Sequence, residues 1–136
     1  MSLSGTQADI ETALKNCQYF MQVSIWAGEI QSLIDTPKQI PAAFVILSGV
    51  DYAAPIALRQ QSAIADNLWS VIIFEYASQA QSVDGDIAAY QAIEAAVAAI
   101  TNLRVGSNKR LWPSSVRLLG AVKNSVSSYG IQFSLI

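Results

Sequence analysis

The 136 residues include 52% apolar and 13% charged side chains, with a formal net charge of −2. That apolar content excludes an intrinsically disordered chain, and the charge balance gives nucleic acid little electrostatic support as a specific partner. The length fits one domain, read as residues 1–136, that buries roughly two-thirds of its unfolded surface without staples. There is no histidine, which removes the commonest metal ligand and the commonest general base. Charge is about half the usual ~25%, so part of the surface is expected to be covered by other subunits.

Residues 1–5 are small and polar and are expected to fray. Thr6 is placed to cap a helix running to about Gln18, with Asp9 as the acidic partner three positions on. Ile10, Leu14, Cys17 and Met21 then share one helical face. Phe20–Trp26 reads as a strand, since Met21, Val23 and Ile25 alternate with Gln22 and Ser24. Gly28 punctuates, Glu29–Ile34 gives one or two helical turns, and Asp35-Thr36-Pro37-Lys38 closes them.

After Pro41, the run Ala42-Ala43-Phe44-Val45-Ile46-Leu47 is apolar on both faces and reads as a strand covered on both sides. Residues 49–55 read as a loop and Ile56–Ile64 as a weaker strand with one polar face. Asp66-Asn67 then marks a turn into Leu68–Tyr76, the strongest strand in the chain, rich in β-branched and aromatic residues. These two strands are expected to form a hairpin.

Val83-Asp84-Gly85-Asp86 opens a helix, and Ala88–Ala99 suits one because alanine is the best helix former. Ile87, Tyr90, Ile93 or Glu94, Val97 and Ile100 form its expected docking stripe. Ala88, Ala92, Ala95, Ala96 and Ala99 would allow a partner to approach closely. Asn102–Arg110 reads as a loop ended by Trp112 and Pro113, and three of the eight basic residues, Arg104, Lys109 and Arg110, cluster there. Val116–Val122 alternates as a strand, Asn124–Ser128 turns, and Tyr129–Leu135 forms a closing strand. Strands separated by short turns, with two main helices, imply an α+β fold: a mainly antiparallel β-sheet with both helices packed on a face. The core is expected from Val45, Leu47, Val71, Ile73, Ile93, Val97, Ile131 and Phe133.

No constellation carries recognisable chemistry. The lone Cys17 permits neither an intrachain disulfide nor a cysteine-based zinc site, and reads as a small buried side chain. Asp84 and Asp86 flank Gly85 as in a calcium loop, but the remaining ligand series is missing and capping explains them better. Ser114 and Ser115 have no histidine to activate them. Glu75 stands inside an apolar strand, at a strand end, on a solvent face or paired with a base. No glycine cluster has phosphate-cradling spacing. The expectations are therefore no catalytic, cofactor-binding or metal residues and no enzymatic activity. The N-terminus lacks a secretory pattern and no apolar run approaches the ~20 residues of a membrane span, so a soluble cytoplasmic protein with no membrane partner is expected. Arg104, Lys109, Arg110 and Trp112 combine basic side chains with an aromatic anchor, a composition favoured at interfaces. They are the candidate oligomer or partner contact, with a solvated loop as the alternative. Acidic residues of a neighbour, such as Asp84 or Asp86, would complement them.

Four stretches resemble the tail terminators and related minor tail proteins of long-tailed phages and prophages. They are Pro41-Ala42-Ala43-Phe44-Val45-Ile46-Leu47-Ser48-Gly49 after an N-terminal helix, Asp66-Asn67-Leu68-Trp69-Ser70-Val71-Ile72-Ile73-Phe74, the helix Asp86–Ile100, and Tyr129-Gly130-Ile131-Gln132-Phe133-Ser134-Leu135. The stretches Tyr19–Trp26 and 56–64 match that pattern less well. The resemblance implies a tail-terminator-like fold and a non-enzymatic subunit of the virion tail, assembled in the host cytoplasm. It implies a homo-oligomeric ring, typically of six, that caps the tail tube, ends its polymerisation and offers a head-joining surface. Its partners would be the tail tube protein and a head-completion protein. Other neck, baseplate or secretion-type tube components are the alternative class, and a small-molecule-binding α+β domain a further one.

Overall fold

Seven consecutive buried residues, Trp69 to Glu75, mark the centre of the sheet. The computed structural model describes residues 3–35, 39–53, 63–76, 88–105, 109–122 and 126–135. The elements are α1 (Leu3–Asn16), β1 (Gln22–Ile25), α2 (Ile30–Asp35), β2 (Ala42–Ala53), β3 (Ala63–Tyr76), α3 (Ala88–Ile100), β4 (Arg104–Val105), β5 (Lys109–Val122) and β6 (Val126–Leu135). They form a six-stranded sheet ordered β1-β2-β3-β6-β5-β4. Only β1 and β2 run parallel, joined through α2, and every other neighbouring pair is antiparallel. This is the expected α+β class.

The alternation of side chains sorts the sheet into two faces. Ala43, Val45, Trp69, Val71, Ile73, Leu111, Ile131 and Phe133 point to the face that carries α1 and α3, where they pack with Ile10, Leu14, Ala92, Ala96 and Ile100. Ala42, Phe44, Ile72, Phe74 and Val126 point the other way and pack with Leu33 of α2. Trp26 extends that second layer: its ring meets Phe44 edge-on at 6.4 Å, and Phe44 meets Phe74 edge-on at 5.7 Å. The Trp26 Nε1–H donates to the Glu29 carbonyl at 3.0 Å, which fixes the entry into α2. A sheet apolar on both faces needs cover on both, and β2 and β3 have it.

Several expectations are corrected. Residues 3–5 do not fray but form the first turn of α1, so Thr6 is no cap; it lies inside the helix and is buried. Met21 lies beyond α1, just before β1, and is 65% exposed. Residues 49–53 are not a loop and Asp66-Asn67 is not a turn. Both belong to one long hairpin in which Val50 pairs with Asn67 and Asp51 with Asp66. The weak strand propensity of Gly, Asp and Asn yields there to continuous ladder pairing, with irregularities between Leu47 and Gly49 and between Asp51 and Tyr52. Residues 54–62, most of the weaker strand, lie outside the described residues, as do Ile87, Asp84, Asp86 and positions 124 and 125 of the expected 124–128 turn. Val126, Ser127 and Ser128 are not turn but the start of β6, paired with β5.

Five of the eight expected core residues are fully buried: Val45, Val71, Ile73, Ile131 and Phe133. Leu47 is 36% exposed, because past Ile46 the helices no longer cover β2. Ile93 and Val97 are half-buried at the margin of the core. The docking stripe of α3 is Ala89, Ala92, Ala96 and Ile100, while Tyr90 and Glu94 are exposed. The alanines, rather than the larger residues, face inward because α3 packs closely on both the sheet and α1.

Candidate interaction surface

The segment expected to be a basic loop is the start of a hairpin. Arg104 stands directly opposite Arg110, and Val105 opposite Lys109, in the β4–β5 pairing; residues 106–108 lie outside the described residues. Leu103 and Leu111 anchor the base: the Leu111 N–H donates to the Leu103 carbonyl at 3.0 Å, and the Asn102 N–H to the Leu111 carbonyl at 2.8 Å. Asn102 adopts φ 68°, a left-handed conformation that asparagine tolerates, and so ends α3 and turns the chain into β4. Val105 and Leu111 are buried in the core, which holds the basic side chains on a rigid ladder.

Arg104 and Lys109 are exposed and Arg110 is half-buried, its Nη1–H donating to the Asn102 carbonyl at 3.2 Å. Like charges placed directly opposite on a ladder repel. Among the described residues, none of Arg104, Lys109, Arg110 and Arg117 forms an ion pair; the ion pair present there is Lys15 with Glu11, at 3.7 Å within α1. Trp112 is not the end of a loop but the fourth residue of β5, 47% exposed and opposite Ser134. Pro113 fits inside β5 because no strand among the described residues covers the outer edge there and a register shift follows it. The four expected contact residues are thus brought together at one corner of the sheet.

The sequence reading missed the continuation of this surface along β5. Val116, Leu118 and Leu119 are exposed at 44%, 63% and 38%. Val116 pairs with Ile131 and Leu118 with Tyr129, so both lie on the helix-bearing face beyond the reach of α1 and α3. Arg117 projects to the opposite face. The alternation of Val116–Val122 carried the signal for a half-covered strand. It could not show that the covering helices stop short.

Glu75 is the buried carboxylate, 5% exposed. Its Oε2 accepts from the Tyr19 hydroxyl at 2.9 Å and its Oε1 from the Tyr76 N–H at 2.9 Å. Burial first, then the hydrogen bond and charge of Glu75, hold the Tyr19 phenol well above the ordinary tyrosine range. Both carboxylate oxygens are engaged in holding the chain together; Glu75 stands next to the end of β3, and its partners are a phenol and a backbone N–H rather than a base. Among the described residues no group of three or more His, Cys, Asp or Glu side chains is placed to hold a metal ion. No described helix is long and apolar enough to cross a membrane. Cys17 is half-buried, its thiol donating to the Leu14 carbonyl at 3.0 Å.

No family model matches the chain, and no curated protein matches it. A solved structure does. A chain in the virion of a native gene transfer agent particle superposes with a TM-score of 0.55 at 15% identity, covering 98% of this chain and 97% of that one. The two chains share the fold from end to end.

Proposed function

We propose that this protein is a structural subunit of a phage-like particle, and within it a tail-completion subunit. It forms a homo-oligomeric ring on the tail tube, ends tube polymerisation and presents a surface for joining the head. The observation that carries the reading is the end-to-end match of fold with a virion chain of a gene transfer agent. The tail-terminator assignment adds the resemblance of the β2, β3, α3 and β6 stretches. The low charge content and the exposed apolar residues of β5 support an assembly role over a solitary one. Its place is the virion tail after assembly in the host cytoplasm, with the tube protein and a head-completion protein as neighbours. It works without catalysis, metal or cofactor.

Light scattering and negative-stain imaging of the purified chain, alone and with polymerising tube protein, test this. The expected result is a closed ring, and tubes whose length falls as the chain is added. A chain that leaves tube length unchanged and never decorates tube ends overturns the terminator role. Replacing Arg110 and Trp112 by Ala is expected to lower the oligomer mass while circular dichroism stays that of the folded chain. An unchanged mass removes these two residues from the contact.

A further inference from the structure

The charges of this chain are sorted along the sequence. Residues 1–94 hold three basic and ten acidic residues, a net −7, whereas residues 95–136 hold five basic residues and no Asp or Glu, a net +5. The fold converts this into a division of the strands, because β4, β5 and β6 all come from the basic segment and form one side of the sheet, while α3, which packs on β3, β6 and β5, carries the exposed Glu94. The other side, β1 and β2, is flanked by α1 and α2, which bear the exposed carboxylates Asp9 and Asp35 and the exposed Lys15, with exposed Glu29 just ahead of α2.

Each side also ends in an open strand edge. β1 pairs with β2 alone, and β5 from Trp112 onward pairs with β6 alone, among the described residues. Apolar side chains stand exposed at both: Met21 and Ile25 at the β1 side, Val116 and Leu118 at the β5 side. An uncovered apolar edge is a template for association unless something occupies it. The two edges match in kind, apolar centre against apolar centre, and oppose in charge.

We infer that the basic β5 edge of one subunit docks on the acidic β1 edge of the next, a head-to-tail contact between copies of this chain. Lys109 and Arg117 meet the side that carries Glu29 and Asp35, while Val116 and Leu118 cover Met21 and Ile25. A contact between unlike surfaces leaves one free edge of each kind on every pair, so it extends until rotation closes a ring. Among the described residues no carboxylate pairs with Arg104 or Arg110, and a neighbour's acidic edge supplies one. The contact supplies the interface for the ring of the proposed function and rests on that reading only for closure.

The test mixes two charge-reversed chains. One carries Lys109→Glu and Arg117→Glu, the other Glu29→Lys and Asp35→Lys; all four residues are surface-exposed. Each alone is expected to fall to monomer mass in light scattering. Their equimolar mixture is expected to regain the wild-type mass, because the two native edges meet and the two reversed edges, acidic β5 against basic β1, are again opposite in charge. A mixture of folded chains that stays monomeric overturns the contact. In wild type, raising salt until the Debye length shrinks from about 10 Å to about 3 Å is expected to dissociate the oligomer; this reading holds even where a reversed chain does not fold. Folded variants that each alone still assemble to wild-type mass overturn the contact and leave the ring reading standing. Wild type that grows open filaments while the variants and their mixture behave as described keeps the contact and overturns the ring. Wild type that stays monomeric at high concentration overturns both. If that monomer instead binds duplex DNA, and Lys109→Glu with Arg117→Glu abolishes the binding, the basic edge serves a nucleic acid.

Discussion

The Tyr19 hydroxyl donates to Glu75 Oε2 at 2.9 Å, joining the segment after α1 to the end of β3 across 56 positions of sequence. Tyr19 also packs edge-on against Phe20, centroids 5.1 Å apart, and both border the core shared by α1 and the sheet. A carboxylate this deeply buried costs several kcal/mol unless donors meet it. The phenol and the Tyr76 N–H are those donors. The strongest strand of the chain therefore carries a charged residue next to its end without leaving it unsatisfied.

Tyr19→Phe should destabilise the fold by roughly 1–2 kcal/mol, since a hydrogen bond to a charged group is lost and one carboxylate oxygen is stranded. The pH response separates this bond from simple packing. The folded chain holds the Tyr19 phenol above the value of about 10 that it has in the unfolded chain. Its contribution is full below about pH 10 and is lost as pH rises from there through the folded value. Urea melts between about pH 8 and pH 11 should show a steeper alkaline loss of stability for wild type than for Tyr19→Phe. Parallel slopes would show that the hydroxyl does not couple to folding.

Ile73 and Leu47 are both aliphatic strand residues, yet Ile73 is fully buried and Leu47 is 36% exposed. Ile73→Ala should cost about 2–5 kcal/mol, the range for a large-to-small change in a packed core. Leu47→Ala should cost well under half of that. Equal denaturation midpoints for the two variants would contradict the placement of the helix layer.

These contrasts show which features the sequence could carry. The strand from Leu68 to Tyr76 and the closing strand from Tyr129 to Leu135 were legible because each is dense in β-branched and aromatic residues. The far half of the β2–β3 hairpin was not. Gly49, Asp51, Asp66 and Asn67 have the composition of turns, and only cross-strand pairing makes them strand. The candidate contact was legible as composition, Arg104, Lys109, Arg110 and Trp112, but not as a ladder. Its extension through Val116 and Leu118 depends on where α1 and α3 end over the sheet, which no local pattern encodes.

α3 offers a direct check on close approach. Ala96 is fully buried against the sheet, and Ala98, two positions on, is exposed. Ala96→Leu should destabilise by about 1–3 kcal/mol, because inserting methylenes there forces α3 off its neighbours. Ala98→Leu should change stability by about 0.5 kcal/mol or less. Thermal melts that rank the two variants equally would mean that α3 rests on its larger residues, Ile93 and Val97, and not on its alanines.

The two glycines of the β5–β6 hairpin should respond oppositely to alanine. Gly120 follows a register shift in β5 at φ +148°, and its carbonyl accepts from the Ser128 hydroxyl at 3.1 Å. No atom would crowd a β-carbon there, so any cost comes from the backbone alone, which L-residues rarely allow at this φ. Gly130 has ordinary strand geometry, and a β-carbon on it would sit 3.5 Å from the Leu119 methyls and 3.6 Å from Ile72 Cδ1, normal van der Waals contact. Gly120→Ala should therefore cost about 1–3 kcal/mol, whereas Gly130→Ala should be neutral or stabilising by up to about 1 kcal/mol, as the unfolded chain loses freedom and the fold gains a contact. Guanidinium denaturation of both variants decides it. A tolerated Gly120→Ala would remove the need for glycine at the bend that carries Leu118 and Leu119, and the exposure of that apolar strip would then owe nothing to Gly120.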